Sequence, residues 1–154
     1  MALVSFFRAP ASSIVPYKDI TLADIYHYIT GSYAAERTAK LRSIDDKKTK
    51  GLWKRTKFDY VTFSGTFTRR IDADLVAHSG YLCLDFDHLD QAEFTENSRV
   101  IDGNSRSAEA SLRSKGARLN EVRRLLLSDP HFETLLLFTS PSGNGLKWVI
   151  PIDL

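Results

Sequence analysis

The chain has 154 residues, enough for one domain with a proper core, and its 43% hydrophobic and 26% charged content is that of an ordinary globular protein. A net charge of +2 is too small to name a partner, and no apolar run is long enough to span a bilayer, so no membrane partner is expected. Cys83 is the single cysteine, which excludes an intramolecular disulfide; the N-terminus lacks a signal-peptide pattern, and a cytoplasmic location is the default expectation.

In chain order, Leu3 to Phe7 reads as a first strand, ended by Arg8 and Pro10, and Ala11 to Pro16 as a loop. Thr21 opens a helix: Asp24 stands three residues later, as in a capping box, and Ile20 can staple onto Ile25. Leu22, Ile25 and Ile29 form its apolar face and Gly31 ends it. A second helix is expected over Tyr33 to Ile44. Lys47 to Lys57 then carries six basic residues and no acidic one. We expect a flexible cationic loop here. Lys50, Trp53, Lys54, Arg55 and Lys57, with Arg69 and Arg70 further on, are candidate nucleic-acid-binding residues, because cations suit phosphates and an embedded aromatic suits base stacking. The competing expectation is a solvated loop with Trp53 tucked into the core.

Tyr60 to Phe63 reads as a strand, Ser64 to Phe67 as a turn, Asp72 to Ala77 as one or two helical turns, and Ser79-Gly80 as a second turn. Tyr81 to Leu84 is an apolar run that suits a strand buried on both faces. Asp85 and Asp87 end it with Phe86 between them, so both carboxylates point to one face. Two close carboxylates repel unless a cation lies between them, and Mg2+ or Mn2+ is the natural partner. The plainer alternative is that they mark the strand end and cap the next element. Residues 93–116 are polar and serine-rich and read as an insertion or mobile loop, with marginal helix as the alternative. Ala117 to Leu127 is expected to be a helix, stopped by Asp129-Pro130.

Thr134 to Phe138 and Leu146 to Ile152 read as strands of a hairpin with a glycine-rich tip from Ser140 to Gly145. Such a loop lets backbone N–H groups approach an anion. Ser140, Ser142, Gly143, Gly145 and Lys147 are therefore candidate nucleotide-binding residues, although no Walker pattern is present and the loop alone is more often a plain hairpin. Combined with Asp85 and Asp87, Lys147 completes a phosphoryl- or nucleotidyl-transfer set. His27, His78 and His131 have no metal-ligand spacing, and His88 reads as a turn residue. The whole suggests one α/β or α+β domain over residues 1–154.

Three segments carry a resemblance: FSGTFTRR from Phe63, HSGYLCLDFDHLD from His78, and FTSPSGNGLKWVIPI from Phe138. In that order they resemble the VirE N-terminal domain family, which is similar to the archaeo-eukaryotic primase (primase-polymerase) superfamily. The superfamily's first motif is an apolar strand ending in D-x-D, matched by Asp85 and Asp87. Its second is a small residue, any residue and a basic one, usually histidine; Gly145-Leu146-Lys147 takes that place with lysine. The resemblance implies an RRM-like, primase-type sheet of mainly antiparallel strands with flanking helices. It implies Asp85, Asp87 and Lys147 as catalytic residues, metal on the two aspartates, and Lys147 on a nucleoside triphosphate. Single-stranded DNA or a primer-template, and a C-terminal or separate helicase-like module, are the implied partners in a mobile-element or phage replication protein. The superfamily's third motif, an acidic residue on a later strand, should lie well beyond Lys147, and Asp153 stands too near. The expectation is thus a primase-like N-terminal domain truncated at its C-terminus, or one without catalysis. A non-catalytic nucleic-acid-binding module on the same fold is the alternative.

Overall fold

Val4–Phe7 forms β1, buried along its whole length. A computed structural model describes residues 2–89 and 107–153. β1 is the middle strand of a sheet, antiparallel both to β2 (Lys18–Ile20) and to β3 (Tyr60–Thr62). Val4 and Phe6 pack on one side with Ile20 and Ile25 as the core. Ser5, on the other side, is buried but satisfied: its hydroxyl donates to Asp19 at 2.8 Å and accepts from the Phe67 amide at 2.9 Å.

The capping box forms as expected. Thr21 accepts from the Asp24 amide at 3.2 Å, and Asp24 accepts from the Thr21 amide at 2.9 Å, which starts α1 (Leu22–Thr30). Ile20 and Ile25, on either side of that cap, are both buried, and burying side chains of this size stabilises by about 1.5–3 kcal/mol each. Gly31 closes α1, and α2 (Ser32–Arg42) follows directly.

β4 (Gly65–Phe67) and β5 (Leu75–His78) pair antiparallel around a 3₁₀ turn at Asp72–Asp74. A third sheet has the order β6-β8-β7, from β6 (Tyr81–Phe86), β8 (Leu146–Pro151) and β7 (Leu136–Thr139). Its centre is β8, where Leu146, Trp148, Val149 and Ile150 are buried. The indole of Trp148 donates to Thr134 at 2.7 Å and meets Phe132 edge-on. The last helix, α4 (Ser107–Leu127), is tied to this sheet by Arg123, which donates to the Thr139 hydroxyl at 2.6 Å. The described residues thus form an α+β fold with four α-helices and antiparallel strand pairs.

Several expectations need correction. Lys47–Lys57 is not a loop but a helix, α3, whose N-cap Asp46 accepts from the Thr49 amide at 2.7 Å. Its last-turn cations Lys54, Arg55 and Lys57 favour the helix because they face its negative dipole end. Of Asp72 to Ala77, only the first three residues are helical, and Leu75 onward is strand. The turn expected over Ser64 to Phe67 gives way to β4 from Gly65. β6 is not buried on both faces, since Leu82 is 41% exposed. The insertion expected at 93–116 lies outside the described residues as far as 106, while its end belongs to α4, which starts ten residues before Ala117.

Candidate functional site

Strand register creates the site. Asp85 on β6 lies directly opposite Lys147 on β8, which lies opposite Phe138 on β7. Residues opposite one another in a ladder share a face, so the three side chains form a row across the sheet. The Lys147 ammonium donates to the Asp85 carboxylate. Their side chains are 26% and 45% exposed, so water weakens the pair, and contacts of this kind contribute about 0.2–1 kcal/mol. Two residues back on the same strand face, burial raises the Cys83 thiol above its usual range, with the Lys147 charge opposing.

Asp87 is drawn in by the hairpin tip. A Cβ on Gly145 would lie 2.5 Å from the Phe86 carbonyl oxygen and 3.2 Å from Asp87 Oδ1. Only glycine therefore lets the tip approach the end of the D-x-D strand this closely. The Leu89 amide then donates to the Asn144 carbonyl at 2.9 Å, which extends the contact past Asp87.

The tip itself is less of an anion cradle than its composition suggests. Its Ser140 amide donates to the Gly145 carbonyl at 2.8 Å, and its Gly143 amide to the Ser140 carbonyl at 2.9 Å. Both N–H groups are spent inside the loop. The Ser140 hydroxyl is buried without a hydrogen-bond partner, out of reach of a ligand in solvent. Ser142 is half-buried and Gly143 exposed, at a φ of +85°.

A groove of about 1000 Å³ runs from Lys147 between the helices and the sheet. Phe6, Ile25, Val61, Phe63 and Phe138 give it an apolar floor, and Ala34, Ala35 and Ala39 leave room on the α2 side. Five cations line it: Arg42, Lys54, Arg55, Arg70 and Lys147. The structure thus brings Lys54, Arg55 and Arg70 into one groove with Lys147. Arg70 also sits over the Tyr60 ring at 4.6 Å and donates to the Ala11 carbonyl at 2.9 Å.

The remaining expected residues lie elsewhere. Lys50, Trp53 and Lys57 occupy α3 outside the groove lining; Lys57 lies 5.9 Å from the Trp53 ring, and the Trp53 indole nitrogen is buried with no partner among the described residues. Arg69 pairs with Asp74 at 2.5 Å, which raises its already high pKa.

Compared with protein-family models, curated proteins and solved structures, the chain matches none. Its chemistry rests on its own residues.

Sequence reasoning missed Arg42. It ends α2 and donates through Nε to the Pro141 carbonyl at 3.1 Å, so it braces the hairpin tip while its guanidinium lines the groove. No salt bridge joins it to a described acidic residue, which leaves its charge available to an anion. A basic residue in a last helical turn was the only visible signal. Asp59 was missed as well. It accepts from the Ala9 amide at 2.7 Å, the Tyr28 hydroxyl at 2.7 Å and the Tyr33 hydroxyl at 3.3 Å. Burial and this carboxylate push the Tyr28 pKa far above its usual value, so Tyr28 remains a donor.

Among the described residues there is no group of three or more His, Cys, Asp or Glu side chains disposed to hold a metal. Asp85 and Asp87 nevertheless suit Mg2+ or Mn2+. Asp85 already holds a cation, the Lys147 ammonium, and both aspartates are exposed. Mg2+ is commonly bound by one or two carboxylates, with waters and substrate phosphates supplying the rest.

Proposed function

We propose that this chain is a primase-polymerase-like domain on an RRM-like α+β core. In this proposal it binds a nucleoside triphosphate and single-stranded DNA or a primer-template, and carries out nucleotidyl transfer within a mobile-element or phage replication protein that works with a helicase-like module. One observation carries the proposal: Lys147, whose ammonium meets the Asp85 carboxylate, lines a groove with an apolar floor and four further cations. Aspartates and a lysine at one edge suit a metal–triphosphate, and the groove suits bases and phosphates.

The roles follow from the chemistry of the side chains. Asp85 and Asp87 would hold Mg2+ or Mn2+, which supplies charge neutralisation on the triphosphate and acidifies the attacking hydroxyl. Lys147 offsets phosphate charge as a mobile point cation. Arg42 presents a planar guanidinium to phosphate oxygens from the other side of the tip. Lys54, Arg55 and Arg70 hold the strand backbone, and Phe63 and Phe138 offer apolar surface to bases.

The test is binding of a fluorescent nucleoside triphosphate in the presence of Mn2+. The double variant D85N/D87N should lose metal-dependent binding by at least about tenfold, the size of one or more charge-assisted contacts. Unchanged binding overturns the proposal. A second reading is favoured by α3, where Lys47, Lys50, Lys54 and Lys57 recur at helical spacing and none is in a salt bridge with a described residue. As a non-catalytic nucleic-acid-binding module, the protein would keep its oligonucleotide affinity in D85N/D87N and lose it steeply with salt.

A further inference from the structure

We infer that Lys147 is a latch that occupies Asp85 in the free protein, so that metal and triphosphate each release the residue the other needs. The inference rests on the proposed metal–nucleotide site and concerns its regulation. Lys147 and Asp85 are register partners on adjacent strands, and their charged groups meet directly. An ammonium on Asp85 blocks the approach of a divalent ion by charge and by occupancy. The same contact keeps the ammonium from a phosphate in the groove, which Lys147 also lines. Lysine suits this exchange because its charge sits on a flexible four-carbon stem. The pair is partly exposed, so the latch is weak enough for either ligand to open. Coupling between two ligands is reciprocal: whatever factor the metal adds to triphosphate affinity by freeing Lys147, the triphosphate adds to metal affinity by freeing Asp85.

The test uses two gains of binding, which a poorly folded variant does not produce. Mn2+ binding is followed by electron paramagnetic resonance without nucleotide. K147M should bind Mn2+ about three- to tenfold more tightly than wild type, the range expected for losing an exposed ion pair and a nearby like charge. Triphosphate binding is then followed with a fluorescent nucleotide in chelator. D85N should strengthen it about three- to fivefold relative to D87N, which removes the same charge without breaking the pair. Equal Mn2+ affinity in wild type and K147M, with metal-dependent nucleotide binding still lost in D85N/D87N, overturns the latch alone. Failure of every form to bind Mn2+ overturns the latch together with the site on which it rests.

Discussion

Replacing Gly145 with alanine tests whether the hairpin tip is seated against the D-x-D strand. Gly145 is buried, and the new Cβ would lie 2.5 Å from the Phe86 carbonyl oxygen and 3.3 Å from the Asp87 Cα. Real Cβ atoms essentially never approach within 3.0 Å, so the tip or the end of β6 must move by roughly half an ångström. Both obstacles are backbone, and no rotamer change relieves them. Overpacking of this kind costs about 1–3 kcal/mol. For a chain of this length each kcal/mol lowers Tm by about 2–4 °C, so a fall of about 4–8 °C is expected at the middle of that range. Thermal unfolding by circular dichroism measures it. Hydrogen exchange at the Leu89 amide should also quicken, because its bond to Asn144 spans the same junction. Gly143→Ala is the control. Its φ of +85° costs a side chain about 1–2 kcal/mol, but its nearest neighbour is the movable Arg42 side chain at 3.1 Å. It should leave the Leu89 amide as protected as before. An unchanged Tm and unchanged Leu89 exchange in Gly145→Ala would refute the close seating and, with it, the placement of Asp87.

Arg42→Met should weaken triphosphate binding about tenfold in a fluorescence titration, since a charge-assisted contact is lost, while far-ultraviolet circular dichroism stays the same. Thr21→Ala removes the α1 cap and should cost about 1 kcal/mol in urea unfolding. Hydrogen bonds from Thr21 hold the Asp24 carboxyl below its ordinary 3.8, so its contribution is complete above that pH and lost as pH falls through the lowered value; an acid titration of wild type against Thr21→Ala should show the difference shrink there. Burial raises the Cys83 thiol above 9.0, so folding keeps it protonated: that contribution is complete below pH 9.0 and lost as pH rises toward the raised value, and alkylation at neutral pH should be slower in the folded than in the urea-unfolded protein.

The parts of the fold legible in the sequence are those set by neighbours in the chain. The Thr21–Asp24 box and the Ile20–Ile25 staple lie within six residues, so the start of α1 could be placed to the residue. The hairpin around Ser140 to Gly145 was legible for the same reason. α3 was not, because a dense run of cations resembles a solvated loop and Gly51 lowers its helix propensity; yet Asp46 caps it, Lys47, Lys50, Lys54 and Lys57 keep helical spacing, and nothing crowds Gly51. The candidate site was legible in its residues but not in its surroundings. The Asp85–Lys147 contact joins residues 62 apart; the sequence grouped the two motifs in one set but did not show that these side chains meet directly. The bond between Arg42 and Pro141 joins residues 99 apart and belongs to no motif. Nor could the groove be read, since it exists only where the small side chains of α2 face the sheet.

The carboxylate of Asp59 gathers the end of β1 through Ala9, α1 through Tyr28 and α2 through Tyr33, and it lines the groove as well. Three separate pieces of chain therefore meet on one acidic side chain. Hydroxyls from α1 and α2 reach the same carboxylate, so the two helices are tied together at that point, much as the arms of a pair of tongs are tied at the pivot. In the proposed function, the width open to a nucleotide would accordingly depend on a residue that holds the walls of the groove together.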